Sequence, residues 1–444
     1  MRILWHCEDR AGPAMAGPAI RAVELAARLA AKHEVTLACP GASDLPAALR
    51  EARGAGSAGR SFAVRELEEG ASVRALLEEL QADVLVAQGF GFPARDLLSL
   101  PSDVRLVLDL YDPVLLELLA RAGSAPDAQT RLHLLAVRAR LLFLLARADH
   151  ILCASQRQRA FWLGWLGAVA RLTPESLAQD PAAHALLAVV PFGIEERACI
   201  PDLGALPAKQ LRAAAGAAEH VVLWWGGLWD WMDPCTAVQA IARLRGEGMS
   251  VALVLPAGNR PGAAPMQAAQ LAEDEARRLS LWQRGVDRLP EWIPYAQRGP
   301  LLASASIAVS CHSPSLEAEL AFRTRLLDCV WARLPVIATA GDELSARAER
   351  EGWGAAVAPH DPAALADALQ RLLEGNSNRS ARAAAANASA HYAWDLSAAP
   401  LLALLDAPAP ARPAASGALM PELHGAQLGE LAGVALGKLW RALR

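Results

Sequence analysis

The chain has 444 residues, 20% of them charged, a formal net charge of −4 and an isoelectric point near 6.2. That length holds about two to three ordinary domains, each with a core of its own. The mildly acidic balance excludes a protein whose main partner is nucleic acid, because a phosphate backbone demands a basic surface.

The N-terminus, MRILWHCEDR, passes from a short strand-like run directly into polar residues and is not read as a secretory signal. Strand-length apolar runs then alternate with helical patterns: MRILWH, EVTLAC, DVLVAQ, VRLVLDL, HILCA and ALLAVVPF as strands, with helices such as AIRAVELAARLAAKH and VRALLEELQ between them. This alternation predicts an α/β fold with a parallel sheet. The apolar stretch LHLLAVRARLLFLLARADHILC is interrupted by Arg138, Arg140 and Arg147, so it predicts a buried amphipathic helix rather than a membrane span.

A Pro- and Ala-rich connector occupies residues 196–217, closing a first domain at 1–195. The pattern restarts over 218–390, with strands at HVVLWWGG, MSVALVLPAG, VDRLPEW, IAVSCH, LPVIATA and WGAAVAP and helices at TAVQAIARLRG, RGPLLASA and FRTRLLDCVWAR. After Asp361-Pro362 a helix runs to about Gly375, the polar NSNRS marks a break, and a late helix over 391–406 is placed to cross back to the first domain. Residues 407–444 read as a flexible linker and an amphipathic tail helix; Lys438, Arg441 and Arg444 beside Leu439 and Trp440 suggest weak contact of 427–444 with a membrane surface, or a packing helix. The seven cysteines are scattered without a C-x-x-C pair, which reads as reduced thiols in the cytoplasm rather than a disulfide frame or zinc site.

No Walker loop occurs, and the first strand lacks the glycine fingerprint of dinucleotide-binding folds. The nearest phosphate-binding candidate is VVLWWGGLWDWMDP, residues 221–234. There Gly226 and Gly227 either serve a tight turn or let the backbone approach a diphosphate, and Asp233 caps a helix with Pro234 in its first turn. Arg323 and Arg325 open another helix, where the positive end of the backbone dipole should repel them. An anion gripped by both guanidinium groups resolves the conflict; so does pairing with Glu317, Glu319 and Asp328 on a solvated face. Asp328, four residues after Thr324, lies one turn deeper and suits vicinal hydroxyls such as those of a ribose.

Taken as an ordered set, MAGPAIRAVELAARLA (15–30), DLYDP (109–113), LCASQRQRAFWLG (152–164), VVPFG (189–193), WGGLWDWMDPCTAVQA (225–240), WIPYAQRG (292–299) and FRTRLLDCVWARLPVIATAGD (322–342) resemble the retaining, nucleotide-sugar-dependent glycosyltransferases of family 4. The resemblance spans the chain to about residue 400 and implies the GT-B architecture, two Rossmann-like domains facing across a cleft. In that family a Glu and a second acid about eight residues on hold the donor sugar and ribose. Asp328, seven residues before Pro335, matches the second acid, whereas Glu319 is one position and Glu317 three positions out of register for the first. The glycine-rich step between the acids is replaced by Phe322-Arg323-Thr324-Arg325, which assigns to arginines work done elsewhere by backbone amides and a lysine. Trp292-Ile293-Pro294 resembles the segment that contacts the base.

On this reading the first half supplies the acceptor side. Gly17 opens a loop of amides and Arg21 repeats the unusual cation placement; Gln88, Asp109, Tyr111 and Asp112 stand at carboxyl edges of strands, with Asp109 or Asp112 orienting the acceptor hydroxyl. Each also has a plainer reading, Arg21 as a surface residue and Asp112 as a helix cap. Trp229 and Trp231 stack on a sugar or pack the core; His312 is a donor-site residue or a satisfied histidine. The expected partners are a nucleotide sugar and a glycan, lipid-linked or small-molecule acceptor, with no cofactor and no metal, because no Asp-x-Asp motif stands at a strand end. A sugar-nucleotide epimerase of the same architecture and a non-catalytic nucleotide-sugar-binding scaffold are the rivals.

Overall fold

The computed structural model describes residues 1–53, 59–68, 70–89, 96, 100–257 and 267–408. The described residues divide into two compact units, 1–191 with 397–408, and 192–396. The helix Trp394–Asp406 begins in one unit and ends in the other.

The N-terminal unit carries a parallel seven-stranded sheet in the order β3-β2-β1-β4-β5-β6-β7. Its strands are β1 (Arg2–His6), β2 (Glu34–Cys39), β3 (Ala63–Glu66), β4 (Val84–Gln88), β5 (Arg105–Asp109), β6 (His150–Cys153) and β7 (Leu187–Val189). Near-continuous apolar runs suit strands covered on both faces by helices. Leu4, Leu85, Leu106 and Ile151 share a buried cluster with Leu141 and Leu144 of the Ala128–Arg147 helix. Each such leucine contributes roughly 1.5–3 kcal/mol by leaving water. Asp127 caps that helix by accepting from Thr130 N, and no helix among the described residues is long and apolar enough to cross a membrane. The edge strand β3 was not expected: AVRE has one partly covered apolar position and three exposed residues, so it lacks the apolar signature.

The C-terminal unit repeats the plan with six parallel strands ordered β10-β9-β8-β11-β12-β13. These are β8 (His220–Trp224), β9 (Val251–Leu255), β10 (Val286–Arg288), β11 (Ile307–Ser310), β12 (Val336–Thr339) and β13 (Gly354–Val357). Val222, Leu253, Val309 and Ile337 pack with Ile241, Leu244 and Leu369 of the covering helices. The strand order reverses between β1 and β4 in one sheet and between β8 and β11 in the other. Open α/β sheets bind ligands outside the carboxyl ends of strands at such switch points.

Two local expectations are corrected. NSNRS is no break but part of the helix Gly375–Ser389. Asn378 within it finds protein partners: its Nδ2 donates to Ser306 O and Leu372 O at 3.1 Å each, and Arg382 Nε donates to its Oδ1 at 2.8 Å. The connector at 196–217 is not all loop, for Leu206–Ala215 is a helix with Pro in its first turn and Leu211 buried. The tail segment proposed to touch a membrane, 427–444, lies outside the described residues, and the seven cysteines are all free thiols.

Candidate functional site

At the switch point of the C-terminal sheet, β8 ends at Trp224 and the chain turns through Gly226 at φ +87°, a backbone state that favours glycine. A Cβ at Gly226 would stand 3.3 Å from Arg325 Cζ. The turn is thus tight, and what it admits closely is the Arg325 guanidinium. Arg325 Nη1 donates to Gly227 O at 3.0 Å and Trp225 O at 3.3 Å, and lies 3.2 Å from Met232 Sδ. All its hydrogen-bond partners among the described residues are uncharged. Burial, then the nearby Arg323 cation, lowers the Arg325 pKa from the ordinary arginine range, with Glu317 opposing them.

Arg323 behaves differently. It precedes the Thr324–Trp331 helix and donates two bonds to Glu317, Nη1 to Oε1 at 3.0 Å and Nη2 to Oε2 at 2.8 Å. The two side chains are only 6% and 1% exposed, so this is a buried fork and not a solvated face. Of the two candidate acids, Glu317 is therefore committed to Arg323, whereas Glu319 stands exposed. Phe322 and Thr324 are half-buried, with Thr324 N bonded to Phe322 O at 2.8 Å.

Asp328 is engaged at both oxygens. Oδ2 accepts from Trp225 Nε1 and Oδ1 from Arg298 Nε, each at 3.0 Å. Arg298 continues to Glu195 Oε1 at 2.8 Å and lies over the Tyr295 and Trp331 rings, 3.7 and 4.3 Å from their centroids. Burial disfavours its charge, but Tyr295, Asp328 and Glu195 outweigh that and hold its pKa above the ordinary range. Arg298 was not singled out from the sequence; its only signal was its place inside WIPYAQRG. Of the three residues named in that segment, Trp292 is half-buried, Ile293 is buried and Pro294 precedes a short turn at Tyr295–Gln297.

His312 follows β11 and bridges Met232 in antiparallel pairing. Its ring is buried without a hydrogen-bond partner, and Nε2 lies 3.7 Å from Asp342 Oδ2, itself unpartnered. Trp229 and Trp231 stack on each other, centroids 5.6 Å apart and planes 5° apart, and pack against the sheet's core. Among the described residues no three His, Cys, Asp or Glu side chains group as metal ligands.

In the N-terminal unit, Gly17 opens the helix Gly17–Leu29, whose first turn receives the Asp9 carboxylate through Ala19 N at 3.3 Å. Arg21 is no surface residue. Its Nε and Nη2 donate to Asp109 Oδ2 and Oδ1 at 2.8 and 3.0 Å, and Nη1 to Pro191 O at 3.1 Å. Both side chains of this pair are fully buried. Asp109, with both oxygens taken, is therefore withdrawn as an acceptor-orienting group, and Arg21 as an acceptor contact. Gln88, Tyr111 and Asp112 do come together, lining a cavity of about 520 Å³ with Glu8, Asp9, Pro18 and Arg140. Pro113, not Asp112, occupies the N-cap of the Val114–Ala122 helix. Burial raises the Glu8 carboxyl above its usual range against the pull of Arg140. Glu8 and Asp9 were missed although CEDR directly follows the first strand, the place where such an edge residue belongs.

Comparison with known proteins adds sequence-family support. Residues 15–173 match the model described as Glycosyltransferase Family 4, and residues 219–375 the model described as Glycosyl transferases group 1. No curated protein matches the chain. Sucrose-phosphate synthase from Thermosynechococcus elongatus superposes with a TM-score of 0.65 at 17% identity, over 91% of this chain and 98% of that one. HepE from Anabaena, in complex with UDP-glucose, gives 0.63 at 15% identity over 91% and 99%. A glycosyltransferase from Rickettsia africae gives 0.59 at 12% identity over 91% and 97%. These likenesses concern the fold, while the two family matches fall one on each sheet. With glycosyltransferase models matched in both units and two Rossmann-like sheets to carry them, the chain is a glycosyltransferase of the GT-B type.

Proposed function

We propose that the protein transfers a sugar from a nucleotide diphosphate sugar to an acceptor, as the family 4 enzymes do, with retention at the anomeric carbon and without a metal. The observation that carries this reading is Arg325, a cation with no carboxylate partner among the described residues, set against the Gly226–Gly227 turn at the carboxyl edge of β8. A desolvated guanidinium of this kind gains most from an anion that supplies the missing charge.

In sugar transfer the departing diphosphate gains negative charge as the anomeric carbon becomes oxocarbenium-like. Preorganised donors at the place where that charge develops stabilise the transition state. Arg325 is that donor, and Arg323 adds its field from the Glu317 fork. Asp328 holds the Trp225 indole in place, and its side chain remains 25% exposed, so ribose hydroxyls can use the remaining lone pairs. Ile293 and Pro294 bound the base, and His312 and Trp229 stand beside the sugar. On the acceptor side Asp112 orients the attacking hydroxyl, with Gln88, Tyr111 and Gly17 around it. The HepE complex with UDP-glucose supports a uridine diphosphate sugar as the first donor to try.

Thermal shift against UDP, GDP and their sugars tests the reading, because a ligand that binds only the folded state raises Tm. A shift with one nucleotide that disappears in Arg325→Ala is expected. Full turnover by Arg325→Ala rejects the site, and loss of turnover on chelation with recovery on adding magnesium or manganese rejects the metal-free mechanism. The Glu317–Arg323 fork favours one second reading, a donor-binding protein without transfer, since it removes an acid that relatives use. Donor binding with neither hydrolysis nor transfer would establish it, whereas product from the donor alone would mark an epimerase.

A further inference from the structure

We propose that the cavity in the N-terminal unit accepts an unphosphorylated, hydroxyl-rich molecule and rejects phosphorylated ones. The inference rests on the glycosyl-transfer reading and names the class of acceptor. Gln88 is 7% exposed and lines the cavity; its Nε2 donates to Pro18 O at 3.0 Å, and its Oε1 is buried with no donor among the described residues. A buried carbonyl oxygen left without a partner is costly, and its demand is specific, for only a hydroxyl or N–H donor meets it. A phosphate dianion, the main form of a phosphate monoester at neutral pH, has no proton to give.

The charges lining the cavity point the same way. Three carboxylates, Glu8, Asp9 and Asp112, line the cavity with one arginine, Arg140, and one histidine, His133, and Asp109, also at its wall, is paired with Arg21. A phosphoryl group entering here meets like charge in a partly desolvated space, where repulsion is strong. Hydroxyl groups, by contrast, donate to the carboxylates and to Gln88 at once. Leu118 and Val137 give the cavity an apolar wall suited to the C–H face of a sugar ring. At about 520 Å³ the space is of small-ligand size.

Saturation-transfer NMR on the full chain with UDP present, using glucose, glucosamine and glucose 6-phosphate as probes, separates the possibilities because the three share a ring and differ in charge. Glucose and glucosamine should bind at least roughly tenfold more tightly than glucose 6-phosphate. Gln88→Leu should abolish transfer to the neutral sugar, and Asp112→Lys should narrow or reverse the discrimination. Preference for glucose 6-phosphate, unchanged binding in Gln88→Leu, or binding of none of the probes overturns the proposal. UDP binding is followed separately by thermal shift. Sugar binding without any nucleotide binding would sink the transfer reading and spare the cavity, whereas nucleotide binding with phosphate preference would do the opposite.

Discussion

Arg323 and Glu317 form a buried two-bond fork, and Arg325, two residues further on, has no carboxylate hydrogen-bond partner among the described residues. Two like charges in one short segment thus have opposite assignments, one structural and one open to a ligand. Removing one partner of a buried ion pair leaves the other uncompensated, which typically costs about 3–5 kcal/mol. Arg323→Ala should lower stability by that order in urea denaturation, while the double variant Arg323→Met, Glu317→Leu should recover most of it. Equal stability of the single and double variants would mean that the fork is not what the two residues contribute.

Arg325 should show the reverse balance. Its cation is desolvated and faces Arg323, so Arg325→Gln should stabilise the nucleotide-free protein by about 1 kcal/mol, in the manner of sites that trade stability for function. The same substitution should weaken nucleotide diphosphate binding roughly 10- to 100-fold, the worth of one charged hydrogen-bonding group. Calorimetry with UDP and thermal denaturation without it read the two effects independently. A variant that is less stable yet binds normally contradicts both assignments.

Gly226 makes the approach of that guanidinium achievable. Gly226→Ala places a side chain at φ +87°, costing about 1–2 kcal/mol, and brings its Cβ to 3.3 Å from Arg325 Cζ. Nucleotide affinity should fall with stability. At Gly227 an added Cβ meets the Trp229 indole at 3.4 Å, an ordinary contact at the edge of tightness, so Gly227→Ala should be milder on both measures.

Acid should loosen the N-terminal unit before it touches most carboxylates. Burial pulls His150 down to about 4, with Ala185 O opposing and the Arg105 cation assisting, and burial likewise pulls His6 down to about 4 against Asp96. Between that value and the unfolded value near 6.5 the unfolded chain binds more protons. Stability therefore falls as pH drops from 6.5 to 4 and levels off below, by on the order of 3 kcal/mol for each histidine. His150→Gln should begin less stable, having lost its bonds to Arg105 and Ala185, but with a shallower slope across this window. An unchanged slope in urea midpoints from pH 7 to 4 would exclude His150 as a source.

Much of the fold was legible because it is written locally. Apolar runs of strand length bounded by turns predicted twelve of the thirteen strands, and the exception, β3, is an edge strand with no apolar face to reveal it. NSNRS misled for the opposite reason. Asn and Ser favour turns unless tertiary partners satisfy them, and Asn378 has such partners in Ser306 and Leu372.

At the site, sequence by itself determined the cast: a glycine turn after one strand, arginines where a helix should repel them, and polar residues at strand ends. Which charges remain available was decided only by tertiary structure. Arg21 reaches Asp109 across 88 positions, and Asp328 holds Trp225 across 103. A buried charge is defined by its partner, and a partner so distant in sequence is chosen by how the strands are ordered in the sheet. That ordering satisfied Arg21 within the protein, the local Glu317 satisfied Arg323, and among the described residues Arg325 and the Gln88 carbonyl are left for something else to complete.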